Sequence, residues 1–323
     1  MTKQLMVTGA TGLIGANICR LHREAGGSVR ALVRPGSETE PLAALGVELI
    51  EGDITSPDDV ARAAQGCEAI INSAAVLGGN AQNLEEQKVT NISGASHVYE
   101  AAAKEGQRVV ALSTTTFLRH DTSLTETSPL ADEYGDDSYT VTKRAAYIEA
   151  KERAANGEDI LVVISGGAFG PSPTVTSSMR MTSFNRAVRG ALRGKIADYV
   201  TYPVPWVLAS DVAAAALAAV DRGKAGDTYL GFGHDDAQST ASFLNLACEI
   251  ADVPYRVAEI VIDPDDQAAV ERYGPSLVQL SQRKYPVPWF ENTYTRETLG
   301  YDPMPLRPAM ELTVAWLRDE GQF

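Results

Sequence analysis

The sequence predicts an α/β protein built as a doubly wound parallel sheet, with a smaller C-terminal cap. The chain opens on an apolar run, Leu5-Met6-Val7, a glycine turn, Thr8-Gly-Ala-Thr-Gly-Leu-Ile-Gly15, and a helical pattern from Ala16 to Ala25. Short apolar runs then alternate with amphipathic segments as far as residue 165, the pattern of parallel strands joined by crossover helices. Beyond Pro171 that alternation breaks up and prolines and aromatic residues accumulate, yet Asp227-Thr-Tyr-Leu-Gly231 again reads as a strand. The expected organisation is a sheet domain over 1–165 and a mainly cap-forming region over 166–323, of which about 205–232 returns to the sheet.

With 323 residues, 44% of them hydrophobic, the chain can bury a large core. A net charge of −14 argues against a nucleic acid or an anionic membrane surface as the main partner and leaves a small molecule. Cys19, Cys67 and Cys248 are far apart and odd in number, which suits a reducing cytoplasm and gives no metal spacing. The four histidines form no HxxxH or HxH pair. The N-terminus is short and polar, unlike a signal peptide. No apolar run approaches the roughly 20 residues needed to span a bilayer. A cytoplasmic protein is expected.

In the opening turn, Gly9, Gly12 and Gly15 fit the three tasks of a dinucleotide-binding corner: the tight turn, close approach of a pyrophosphate, and close packing of helix on strand. The helix that follows offers free N–H groups to phosphates. A second strand, Ser28–Arg34, ends in the turn Arg34-Pro-Gly-Ser37. No Asp or Glu lies between Ser28 and Ser37, where an acid would bond the 2′-hydroxyl of NAD(H). Arg34 stands there instead, which favours the 2′-phosphate of NADP(H) over NAD(H). Arg30 falls on the other strand face.

A third strand, Val47–Ile54, ends in Asp53, either a partner for the adenine amino group, with Ile54 against its face, or a loop acid. Ser56-Pro-Asp-Asp59 then carries the signature of a helix start. The fourth strand, Ala69–Ser73, leads into Ala74 and Ala75, small enough for a cofactor to pass. Leu77–Glu86 reads as a loop and Val89–Lys104 as a helix, with Asn91 inside it either bracing the neighbouring strand or capping a local turn. The fifth strand runs from Arg108 into Ser113, Thr114, Thr115 and Thr116, hydroxyls at the carboxyl end where ligands of parallel sheets sit. A helix from Ser138 to about Asn156 puts Tyr139 and Lys143 on one face. An ammonium there lowers a phenol's pKa, and the phenol exchanges a proton with a carbonyl or alcohol oxygen.

Taken together, the TGxxGxxG turn, the acid after the third strand, the hydroxyls after the fifth and YxxxK near residue 140 resemble the extended short-chain dehydrogenase/reductase superfamily. Within it, the chain looks like the dihydroflavonol-4-reductase-like members of the epimerase/dehydratase family. Asn91–Ala102, Gly167-Ala-Phe-Gly-Pro171 and Trp206–Ala213 resemble further family segments. The resemblance implies a Rossmann sheet and a catalytic set of Thr114, Tyr139 and Lys143, with Ser113 one register from Thr114. It implies a cofactor along Gly9, Thr11, Gly12, Leu13, Ile14, Arg34, Asp53, Ile54, Ser73, Ala74, Ala75, Lys143, Gly166 and Phe169. Thr115, Thr116 and Tyr139 would face the substrate. Two positions depart from the family pattern: Ser165 stands where proline is common, and Ser165–Pro171 lacks the asparagine many nucleotide-sugar members use.

In the second half, Ile160–Ile164 reads as a buried strand and Met179–Arg193 as a helix rich in arginine (Arg180, Arg186, Arg189, Arg193). A solvated face is the plainer reading of that charge; an anionic substrate is the other. The aromatic residues Tyr273, Tyr285, Trp289, Phe290 and Tyr294 either pack the cap or suit a flat, apolar substrate. The expected activity is hydride transfer between NADP(H) and a ketone, aldehyde or secondary alcohol. The alternatives are a nucleotide-sugar epimerase/dehydratase with tightly bound NAD(P) and a non-enzymatic NADP(H)-binding redox sensor. The alanine-rich helices near 89–104 and 139–156 are candidate faces for a homodimer.

Overall fold

The structure, a computed structural model, describes residues 4–78, 84–132 and 137–323. In chain order the first half runs β1 (Gln4–Thr8), α1 (Leu13–Glu24), β2 (Ser28–Val33), α2 (Glu40–Ala44), β3 (Glu48–Glu51), α3 (Pro57–Ala64), β4 (Ala69–Asn72), α4 (Leu84–Gln87), a π-helical turn (Lys88–Ser93), α5 (Gly94–Glu105), β5 (Arg108–Ser113), α6 (Ser138–Ala155) and β6 (Ile160–Ser165). The second half continues with β7 (Gly167–Phe169), α7 (Val175–Ser178), α8 (Phe184–Leu192), β8 (Asp198–Val200), β9 (Pro203–Val204), β10 (Trp206–Leu208), α9 (Ala209–Arg222) and β11 (Thr228–Gly231). It closes with β12 (Gln238–Ser239), α10 (Thr240–Ile250), β13 (Ala258–Ile260), α11 (Gln267–Tyr273), α12 (Pro275–Gln282), α13 (Thr293–Leu299) and α14 (Leu306–Asp319). No helix among the described residues is long and apolar enough to cross a membrane.

Seven strands pair in the order β11-β6-β5-β4-β1-β2-β3, all parallel. The strand order reverses at β1, between β2 and β4, and a crevice opens there at the carboxyl ends, the place such sheets use for ligands. Alternation along β1 feeds two cores. Met6 joins α3, α5 and α6 on one face; Leu5 and Val7 join α1 and α9 on the other. Ala213, Ala215, Ala216 and Ala219 of α9 are fully buried, and their small side chains let α9 lie against the sheet and α1. A third core fills the cap, where Trp206 stacks on Phe243 with ring centroids 3.8 Å apart.

Two helices differ from their sequence reading. The stretch 89–104 is not one α-helix: the π-turn over Lys88–Ser93 precedes α5. Its wider turn carries Asn91, whose side chain is buried and bonds Val76 and Thr142. The basic helix begins at Phe184, not Met179, because the Ser183 hydroxyl accepts the N–H of Asn185 and caps α8 there. Part of the expected loop, residues 79–83, lies outside the described residues, and its end, from Leu84, is helical.

Candidate active site

The glycine turn divides its labour. Gly9 has φ of +66°, and a Cβ there would sit 2.7 Å from Ala74 N and from the carbonyl of Ser73. A Cβ on Gly15 would lie 2.2 Å from Gly9 O. These two glycines close the turn against the end of β4. Gly12 is different: a Cβ there would meet only Gly9 O, at 3.2 Å. It is the N-cap of α1, without a side-chain cap, so the first N–H groups of the helix face open space. Gly9, Gly12, Leu13 and Ile14 line a cleft of about 1430 Å³. Donors plus room fit the pyrophosphate of a dinucleotide. Ser73 and Ala75 line the same cleft, and the Ser73 hydroxyl donates to Thr8 O at 2.7 Å. Thr11 and Ala74 are not on the cleft wall; Ala74 packs toward the core instead.

Across the cleft, β5 delivers Ser113, Thr114, Thr115 and Thr116 to the wall. The Asp137 carboxylate accepts the N–H of Thr140 at 2.9 Å and starts α6. That cap sets Tyr139 in the first turn and Lys143 one turn on, both lining the cleft. Thr114 stands beside the Tyr139 phenol and acts to lower its pKa, whereas the Ser113 hydroxyl is buried and has no partner among the described residues. Lys143 is 9% exposed, and its ammonium donates to Leu112 O at 2.8 Å.

The expected electrostatics need correcting. Burial pushes the Tyr139 phenol up to about 12; Thr114 opposes this and the Asp137 carboxylate adds to it. Burial brings Lys143 down to about 8. Lys143 is not among the causes of the phenol's shift: its ammonium is turned to Leu112 O of the β5 backbone, and burial decides the direction.

At the adenosine end, Arg34 lines both the cleft and an adjoining cavity of about 560 Å³. Arg30 turns to the opposite face and pairs with Glu48 at 3.0 Å. Asp53 lines the smaller cavity and also accepts the N–H of Thr55 at 2.9 Å, so it is a loop acid with one side toward the cavity. Two residues expected at the cofactor turn away. Ile54 is 7% exposed and packs on Gly94; Phe169 is fully buried with its ring 4.9 Å from Phe243. On β7 the alternation sends Ala168 to the cleft in place of Phe169. Gly166 lines the cleft, pressed so closely on Pro205 that a Cβ would lie 2.0 Å from its carbonyl oxygen. The neighbouring Ser165 hydroxyl donates to Gly166 O at 3.0 Å.

The cap supplies the remaining wall. Arg180, Arg186, Arg189, Arg193 and Lys195 all line the cleft, which corrects the reading of a merely solvated face. None pairs with a carboxylate among the described residues; Arg189 donates to the Gln322 amide at 2.8 Å. Burial and the charges of Arg193 and Arg186 push Arg189 below the ordinary guanidinium value. The aromatic residues split: Tyr285 and Trp289 line the cleft with Tyr199 and Tyr202, while Phe290 packs on Phe232, Tyr294 on Tyr229, and Tyr273 bonds Asp198. Sequence reading missed His120. It lines the cleft, sits 2.9 Å from Thr115 O and meets Trp289 edge-on, and burial lowers its pKa. A lone histidine in a loop carries no spacing that would have flagged it.

A switch-point crevice with a glycine turn and a hydroxyl–tyrosine–lysine set defines an enzyme of the nicotinamide-dinucleotide-dependent oxidoreductase and epimerase type. The chain belongs to the NAD-dependent epimerase/dehydratase family, whose model matches residues 5–230. It is 25% identical to sterol demethylase protein B of Methylococcus capsulatus, over 98% of this chain and 99% of that one. It is 31% identical to a dihydroflavonol 4-reductase homologue of Synechocystis, over 73% and 69%. A nucleoside-diphosphate-sugar epimerase from Pseudomonas aeruginosa shares the fold, with TM-score 0.81 at 21% identity over the whole of both chains. The protein is thus an extended short-chain dehydrogenase/reductase enzyme that uses a nicotinamide dinucleotide.

Proposed function

We propose that the protein is an NADP(H)-dependent reductase of ketones or aldehydes, able to oxidise the matching secondary alcohol. The observation that carries this is the meeting of Thr114, Tyr139 and Lys143 on one cleft wall, the last two a helical turn apart. A bound nicotinamide supplies the hydride for the carbonyl carbon. The turn at Gly9 and Gly12 and the N-terminus of α1 would hold the pyrophosphate, and Arg34 would meet the adenosine ribose. Thr114 orients the carbonyl oxygen. Tyr139 stays protonated at neutral pH and gives its proton to that oxygen as negative charge develops. Lys143 adds positive charge beside the site and offers donors to the nicotinamide ribose. Trp289, Tyr285, Tyr199 and Tyr202 shape an apolar wall that suits a large carbonyl compound and excludes water.

A second reading, a nucleotide-sugar epimerase or dehydratase, is favoured by the unpaired arginines of α8 and its flanks. The deciding experiment follows NADPH consumption with aromatic and aliphatic carbonyls, beside product analysis with nucleotide sugars. NADPH loss with a carbonyl, absent in Tyr139→Phe, supports the reductase. Conversion of a nucleotide sugar without net NADPH loss overturns it. Tight cofactor binding with neither activity would leave the sensor.

A further inference from the structure

The small cavity beside Arg34 is built from two parts of the chain. One is the turn after β2, with Arg34, Ser37 and Glu38; the other is the cap segment around α7, with Thr176, Ser177 and Arg180. Glu38 joins them: its carboxylate accepts the N–H of Ser177 at 2.9 Å and of Thr176 at 3.4 Å. Asp53, the other carboxylate on this wall, is committed to the N–H of Thr55. The two guanidinium groups are committed to nothing: neither Arg34 nor Arg180 has an ion pair or side-chain hydrogen bond among the described residues. The cavity therefore holds two free cations beside two acids that each accept backbone donors.

We propose that Arg180 is a cofactor-specificity residue contributed by the cap, closing with Arg34 on the 2′-phosphate of NADP(H), and that Glu38 is the positioning residue that holds its segment in place. The inference rests on the NADP(H) reading above and adds a second cation to it. The chemistry is that of a phosphomonoester dianion. It needs two charge-assisted donors, and a guanidinium supplies them in a planar fork. Glu38, a potential partner for the 2′-hydroxyl of NAD(H), is directed at the cap. Arg180 also lines the main cleft, and the residues after it, Met181 to Phe184, line that cleft too. Gripping the 2′-phosphate therefore fixes the same segment that walls the substrate.

The test is calorimetric binding of NADP⁺, NAD⁺ and adenosine 2′,5′-bisphosphate to the wild-type protein and to Arg34→Gln, Arg180→Gln, Arg180→Lys and Glu38→Ala, with thermal unfolding to confirm each fold. Arg180→Gln should weaken NADP⁺ and the bisphosphate by about tenfold or more, the loss of a hydrogen bond between charged groups, and leave NAD⁺ unchanged. Arg180→Lys should recover part of the loss. Glu38→Ala should weaken NADP⁺ in the wild-type background but not on top of Arg180→Gln, since it acts through Arg180. A wild-type preference for NADP⁺ that Arg180→Gln leaves intact overturns this proposal and keeps the NADP(H) reading. Equal wild-type affinity for NADP⁺ and NAD⁺ overturns both.

Discussion

The ammonium of Lys143 donates to the carbonyl oxygen of Leu112 at 2.8 Å, joining α6 to the end of β5. One contact thus ties the strand that ends in the hydroxyl run to the helix that carries the phenol. It also holds a charge in a buried place, which makes the site sensitive to pH.

Lys143 is lowered to about 8 from an ordinary 10.5, with burial as the cause. If the charged form serves catalysis, kcat/KM for carbonyl reduction stays level to about pH 7 and falls tenfold per unit above about 8. Lys143→Arg should remove that fall, and a fall unchanged in Lys143→Arg would assign it to another group. Linkage gives the matching stability effect. Between about pH 8 and 10.5 the unfolded chain holds a proton that the folded chain has released, so this group's contribution to stability rises with pH across that window and is constant below it. Denaturant titrations of wild type against Lys143→Met should show the difference.

Tyr139 is raised to about 12, so reduction can draw on a neutral phenol throughout the physiological range. Tyr139→Phe should lower kcat for reduction by about 10²- to 10⁴-fold, the range for loss of a general acid, with NADP⁺ affinity nearly unchanged. Thr114→Val should lower it less, while Ser113→Ala, whose hydroxyl bonds nothing, should leave it close to wild type. Steady-state kinetics on the three variants checks the ranking. A Ser113→Ala loss exceeding that of Thr114→Val would reverse the assignment.

Asn91 accepts the N–H of Val76 at 2.8 Å and donates to Val76 O and to Thr142 Oγ1, both at 3.1 Å. Asn91→Leu strips the half-buried Val76 backbone of both partners, while Thr142 keeps its bond to Ser138 O, and should cost about 1–3 kcal/mol. Because Thr142 precedes Lys143, kcat should fall as well, in folded protein and without a change in the NADP⁺ dissociation constant. Chemical denaturation and single-turnover kinetics separate the two effects.

Gly9→Ala places a Cβ at 2.7 Å from the backbone of Ser73 and Ala74 and keeps a left-handed φ. The conformational strain alone is about 1–3 kcal/mol, and the clash adds to it. The expected result is a lower unfolding midpoint and weakened binding of NADP⁺ and NAD⁺ alike. Gly12→Ala should be better tolerated by the fold yet impair dinucleotide binding, because its Cβ would point into open cleft.

Much of the sheet was legible because its signals are local. The glycine turn and the alternating apolar runs each act over a few residues, so β1, β5 and β6 fell where the pattern put them. Tyr139 and Lys143 were legible for the same reason, being neighbours on one helix face. What sequence could not convey depends on distant contacts. Phe169 and Ile54 sit in apt segments but turn inward, because Phe243 and Gly94 offer packing surfaces from elsewhere in the chain. The cleft-lining position of Arg186 and Arg193 depends on how α8 packs against α10 and β7 in the cap. The raised phenol depends on how deeply the pair is buried, which no spacing of Tyr139 and Lys143 reveals.

The pairing of β11 with β6, from Thr228↔Val162 to Gly231↔Ser165, has a consequence for anyone dissecting the protein. A fragment stopped at Ser165 would leave β6, apolar from Ile160 to Ile164, as an edge strand with one row of backbone donors and acceptors open, a template for association with other chains. Such a fragment should precipitate, whereas one extended through Gly231 recovers the pairing. The cap is therefore not a detachable module. A chimera that grafts a new specificity onto this framework must keep 206–231 with its host and exchange the stretches on either side together.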